Sequence, residues 1–252
     1  MKKIILSWLL LWGCVASVLA EGLSFGMFTS SAERVKEFKQ FFRVGDRVSE
    51  PLEINGKKYR LPDGDWRVAA VVASVGNIRN VSTGNEDSSN PHGQLFLFSS
   101  DKSEVDKFLA ITLPLGPLRN RSWIGNLPGL CQADWSPKSK IWQEAVSLDH
   151  AALDYSAVYV GRVFSWNDDL TNAAKFGLKD LGVNYGRAAN YLASGTYLSR
   201  GAGTYFLTYG EYVDSERYED VTPFKGKNEK VIEMFNYKSD KLRRSFHQDV
   251  GG

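Results

Sequence analysis

The stretch that most restricts the fold runs from Trp166 to Val183. Leu170, Ala173, Ala174, Gly177, Leu178 and Leu181 fall at offsets 0, 3, 4, 7, 8 and 11, which places all six on one side of an α-helix. Asp168 and Asp169 put negative charge where the helix dipole favours it, and Gly182-Val183 offers a left-handed cap with its apolar contact. Such a helix must lay its apolar side on another element, and its neighbours read as strands. Ser156 to Phe164 (SAVYVGRVF) and Tyr205 to Val213 are rich in β-branched and aromatic residues, which suit a pleated surface. Helix set between strands excludes an all-α bundle and an all-β barrel.

The first half repeats the strand texture. Lys57 to Leu61 leads into Pro62-Asp63-Gly64, a turn in which proline presets one dihedral and glycine accepts a positive one. Asp65 to Ile78, Gln94 to Ser99 and Lys107 to Leu113 follow as strands with short connections, an antiparallel meander. Val81 to Gly93 (VSTGNEDSSNPHG) is polar and turn-forming, and is expected to be an exposed loop. Ahead of the strands, Thr29 to Phe42 reads as a helix with a capping box of Ser30 and Glu33 and an inner side of Val35, Phe38 and Phe42. Pro114 to Pro137 is irregular and marks a possible subdivision of an otherwise single domain over residues 21–252. A helix from Ser136 through Val146, or a strand from Ile141 to Leu148, comes next. Tyr185 to Ala193 reads as a short helix, and Lys227 to Phe246 as a terminal one with Val231, Phe235, Leu242 and Phe246 on one side.

The first residues carry an address. Met1-Lys2-Lys3, an apolar run from Ile4 to Val15, and Val18-Leu19-Ala20 before Glu21 have the layout of a bacterial secretory signal peptide, residues 1–20, cleaved after Ala20. An uncleaved membrane tether and lipid anchoring at Cys14 are the alternatives. Cleavage implies a periplasmic or secreted protein whose mature chain has no transmembrane span. The 31 basic residues would lose Lys2 and Lys3 and come level with the 29 acidic ones. A balanced charge gives no electrostatic case for nucleic acid.

Leu61-Pro62-Asp63-Gly64-Asp65-Trp66 resembles the LPxGxW opening of uncharacterised secreted proteobacterial proteins. The run through Tyr191-Leu192, a glycine and the Tyr-rich Thr204 to Tyr212 is similar to their C-terminal part. The resemblance covers scattered pieces of the chain. It implies a secreted globular fold and transfers no functional residues.

Catalytic candidates are few. Cys131 is the one cysteine of the mature chain, and with His150 and Asp149 it would supply a nucleophile, a base and an orienting group; Asp154, Ser147 and Ser156 lie nearby in sequence. Such roles depend on spatial geometry, which residue types alone do not give. His92 is expected on the polar loop and His247 in a frayed tail. No histidine pair has metal-ligand spacing, Asp168-Asp169 is explained by capping, and Gly201-Ala202-Gly203 lacks a dinucleotide fingerprint. No cofactor and no metal are therefore expected. The reading is an α+β protein, an antiparallel sheet with a meander in its N-terminal half and helices packed on one face. Its expected role is non-catalytic, a secreted or envelope-associated protein binding an envelope protein, a glycan or a lipid. The alternative is a periplasmic hydrolase built on Cys131, His150 and Asp149.

Overall fold

The computed structural model describes residues 18–19, 22–79, 86–116, 140–147, 154–186, 190–200, 203–213 and 221–251. In chain order, β1 (Val18–Leu19) and α1 (Ser31–Phe41) precede β2 (Arg47–Val48), β3 (Leu52–Ile54) and β4 (Lys57–Tyr59). The long strands β5 (Arg67–Arg79), β6 (Glu86–Asp101) and β7 (Glu104–Pro114) follow, then β8 (Lys140–Ser147) and β9 (Asp154–Gly161). The last part holds α2 (Asp169–Asp180), β10 (Asn190–Arg200), β11 (Gly203–Val213), α3 (Val221–Lys227) and α4 (Glu229–Gly251).

One sheet takes nearly all the strands, in the order β1-β2-β5-β6-β7-β11-β10-β9-β8. Eight are antiparallel to their neighbours; β1 adds a two-residue parallel pairing on β2. The first meander, β5-β6-β7, meets the second, β8 to β11, where β7 pairs with β11. Strands β3 and β4 form a separate hairpin about Asn55-Gly56, both at positive φ, the sequence that two-residue hairpin turns favour.

Alternation along the strands explains why both faces are covered. On β6, Leu95 and Leu97 point to one side and Phe96 and Phe98 to the other, and all four are at most 1% exposed. A strand buried on both faces reads as a continuous apolar run. Phe38 and Phe42 at the end of α1, and Phe235, Leu242 and Phe246 of α4, cover the Leu95 side. Leu170, Ala174 and Leu178 of α2 cover the Phe96 side. The expected α+β architecture and N-terminal meander are thus present, but the helices, expected on one face, cover both: α1 and α4 share one and α2 lies on the other, because the central strands are apolar on both sides.

The helix ends follow the sequence. Ser30 and Glu33 form the reciprocal capping box of α1. Asp168 caps α2 by accepting from the Thr171 amide at 2.9 Å, and the Val183 amide closes the far end on the Leu178 carbonyl. Gly177 lies where α2 touches β5: a Cβ there would sit 1.9 Å from the Ala69 carbonyl oxygen. Arg34, buried in α1, donates to the carbonyls of Thr29, Leu115 and Gly26 and ties the helix to the end of β7.

Three expectations about single elements are corrected, and one open alternative is resolved. Residues 86–93 belong to β6 and pair with β5, so Val81 to Gly93 is not a single loop; the ladder to β5 carries the strand beyond the point where β7 stops pairing at His92, even though the composition is polar. The described part of Ser136 to Val146 is β8, the strand alternative. Asn190 onward is β10, because Tyr191, Ala193 and Tyr197 pack on one face and Leu192 and Leu198 on the other. On α4, Ile232 faces the core and Val231 is exposed.

Candidate functional site

The motif from Leu61 to Trp66 has a structural logic. Leu61 is buried and anchors one end, and the indole of Trp66 is 2% exposed. The Trp66 Nε1–H donates to the Pro62 carbonyl at 2.6 Å, folding the loop back over its own tryptophan. Gly64 lies over the ring: a Cβ there would come within 3.2 Å of the indole, so the bare backbone fits best. The Lys107 ammonium donates to the Asp63 carbonyl at 3.3 Å and tethers the tip to β7.

This loop forms one wall of a groove of about 640 Å³, and α4 forms the other. Tyr209 of β11 is the floor, stacked on Phe235 of α4 at 5.7 Å and meeting Trp66 edge-on at 6.5 Å. The Tyr209 hydroxyl donates to Glu211, whose carboxylate also takes Lys238 at 2.8 Å. Burial, that hydrogen bond and the charges of Glu211, Asp106 and Asp63 hold the Tyr209 pKa far above the ordinary tyrosine value. Tyr209 is therefore a hydrogen-bond donor at any physiological pH.

The rim is cationic. Arg60, Lys107, Lys238, Lys241 and Arg244 face Glu50, Asp63 and Glu211. Lys238 and Arg244 are engaged by Glu211 and Asp240, whereas Arg60 and Lys241 have no acidic partner within ion-pairing distance among the described residues. The exposed Tyr237 ring adds an apolar lip. An apolar floor with a few placed polar groups is the usual composition of a ligand site.

Cys131, Asp149 and His150 lie outside the described residues, as does Cys14. His92 is on β6, with Nε2 3.0 Å from the Ser74 hydroxyl across the ladder, and not on a loop. His247 belongs to α4, not to a frayed tail, and approaches the buried carboxylate of Asp154 at 3.4 Å. Asp168 does what capping predicts. Among the described residues, no three His, Cys, Asp or Glu side chains group as metal ligands, and no helix is long and apolar enough to cross a membrane. The groove itself was missed by sequence reasoning, although its motif loop was noticed.

No family model matches the chain, and no curated protein matches it. One solved structure, described as "The crystal structure of the putative regulator from Escherichia coli CFT073", is 11% identical and covers 61% of this chain and 97% of its own. The TM-score of that pairing is 0.23, which carries no argument about fold or function.

Proposed function

We propose that this is a secreted, non-catalytic binding protein of the bacterial envelope, and that its ligand seats in the groove between α4 and the Leu61–Trp66 loop. The observation that carries the reading is the pairing of a fixed aromatic floor, Tyr209 on Phe235, with a rim holding Arg60 and Lys241. That combination suits a partner with an apolar body and an anionic group. The groove's described lining contains no histidine or cysteine to act as base or nucleophile. The kinship with secreted LPxGxW proteins is part of this proposal, supported by the role that each motif position has in shaping the loop.

Secretion is supported by the N-terminal pattern. Leu23, soon after Ala20, is already buried and pairs with Ile54. Cleavage after Ala20 removes β1 and leaves the eight antiparallel strands whole. The test is mass spectrometry of protein recovered from the periplasm, native and denatured, beside an Arg60→Glu/Lys241→Glu variant. A denatured mass for residues 21–252 and a native excess lost in the variant are the expected results. An excess unchanged in the variant would place the ligand elsewhere, and a retained N-terminus would overturn cleavage after Ala20.

A further inference from the structure

A second cavity, of about 140 Å³, opens on the other flank of α4, between that helix and strands β8, β9 and β10. Its floor holds Ser156, Ser194 and Thr196. Ser156 and Thr196 are register partners, with Glu144 the next partner along the row, beside Val158, Leu192 and Leu198 of the core. Ser156 and Thr196 are each 4% exposed, and their hydroxyls lie 3.1 Å apart. From above, α4 contributes Asn236, Asp240 and Arg243.

The charges there cancel. Arg243 pairs with Glu144 at 2.8 Å and with Asp240 at 2.9 Å, and Asp240 also takes Arg244 at 2.8 Å. Two cations meet two carboxylates, so the cavity attracts neither sign strongly. Two buried atoms lack a hydrogen-bond partner among the described residues, the acceptor Asn236 Oδ1 and the donor Arg243 Nε. Buried polar atoms are nearly always bonded, so these two lining residues each keep capacity for one more hydrogen bond, Asn236 as acceptor and Arg243 as donor. A hydroxyl is the neutral group that both donates and accepts. At the mouth stands Trp142, 41% exposed, with the Arg243 guanidinium 5.9 Å from its ring centre. An indole face beside hydroxyl partners suits a molecule with C–H on one side and O–H at its edges.

We propose that this cavity is a binding site for one neutral sugar or polyol unit, separate from the cationic groove. Asn236 and Arg243 engage its hydroxyls, Ser156 and Thr196 line its inner end, and Trp142 covers its apolar face. Its size admits several waters or a single ring, and so selects a terminal or free unit over the middle of a chain.

The experiment titrates the mature protein with glucose, N-acetylglucosamine and mannitol, reading tryptophan fluorescence and saturation-transfer NMR on the sugar. A saturable response is expected for at least one probe, weakened about tenfold or more in Asn236→Leu, in line with one lost buried hydrogen bond. The Trp142→Phe variant should lose the fluorescence change yet keep the NMR transfer, and Arg60→Glu/Lys241→Glu should keep both. Should Asn236→Leu fold poorly, Ser156→Ala/Thr196→Val supplies the comparison, checked by circular dichroism. No saturable response to any probe would mean a cavity holding water only. A response indifferent to both cavity variants would place the sugar elsewhere. Either result overturns the proposal.

Discussion

The motif loop can be tested through one atom. Trp66→Phe removes the Nε1–H that donates to the Pro62 carbonyl at 2.6 Å and keeps a ring in the same buried site. Two losses follow. The hydrogen bond contributes about 1 kcal/mol net, and because the pair is only part-buried, water can reach Pro62 and spare most of the penalty for an orphaned acceptor. The missing part of the indole forfeits about 1–2 kcal/mol of burial at ~0.8 kcal/mol per methylene equivalent, with a small cavity added. The sum is about 2–3 kcal/mol, which lowers Tm by roughly 4–12 °C for a domain of this length. Urea unfolding followed by far-UV circular dichroism gives the difference directly, provided that m is unchanged. The variant should also weaken any groove ligand, since Pro62 and Asp63 lose their anchor. A change below about 0.5 kcal/mol, the scatter of ordinary surface substitutions, would refute the account of the loop as held by its own tryptophan.

Two further perturbations probe the opposite faces of the sheet. Gly177→Ala puts a methyl 1.9 Å from the Ala69 carbonyl, so α2 must lift from β5; a loss of about 1–3 kcal/mol or more is expected by denaturant titration, although alanine is the better helix former. For Asp240, hydrogen bonds from Arg243 and then Arg244 outweigh burial and hold the pKa below its ordinary value of 3.8. A carboxylate depressed in the folded state adds stability that is present above the unfolded pKa and is lost as pH falls through the folded one. Asp240→Asn should therefore lower Tm near neutrality and narrow its gap to the wild type below about pH 4; a gap that widens in acid would contradict the assigned pairing.

Much of the fold could be read in advance where one local rule dominated. The apolar stripe from Leu170 to Leu181, the Ser30/Glu33 box and the β-branched runs of β5 and β9 each point one way, and the structure follows them. Errors gathered where composition and tertiary context disagree. Ala188-Ala189 bias the segment toward helix, yet Asn190 onward joins a sheet because β9 and β11 stand on either side of it. Polar Ser88 to Asn90 looks like a loop, but β6 continues through it. The Asn55-Gly56 turn is a hairpin signal in its own right, two residues at positive φ joining β3 to β4. Neither cavity was legible, since Trp66, Tyr209 and Phe235, or Trp142, Thr196 and Asn236, come from distant segments that only the strand order brings together.

The two cavities are not independent surfaces that happen to share a helix. Residues 237, 238, 241, 244 and 248 of α4 face the cationic groove, while 236, 239, 240 and 243 face the neutral cavity, as a 3.6-residue period requires when Phe235, Leu242 and Phe246 point to the sheet. Asp240 joins the two flanks, because Oδ1 accepts from Arg243 on the cavity side and Oδ2 from Arg244 on the groove side. The position of α4 over the sheet thus shapes both cavities, and Asp240 in its middle holds one arginine on each flank.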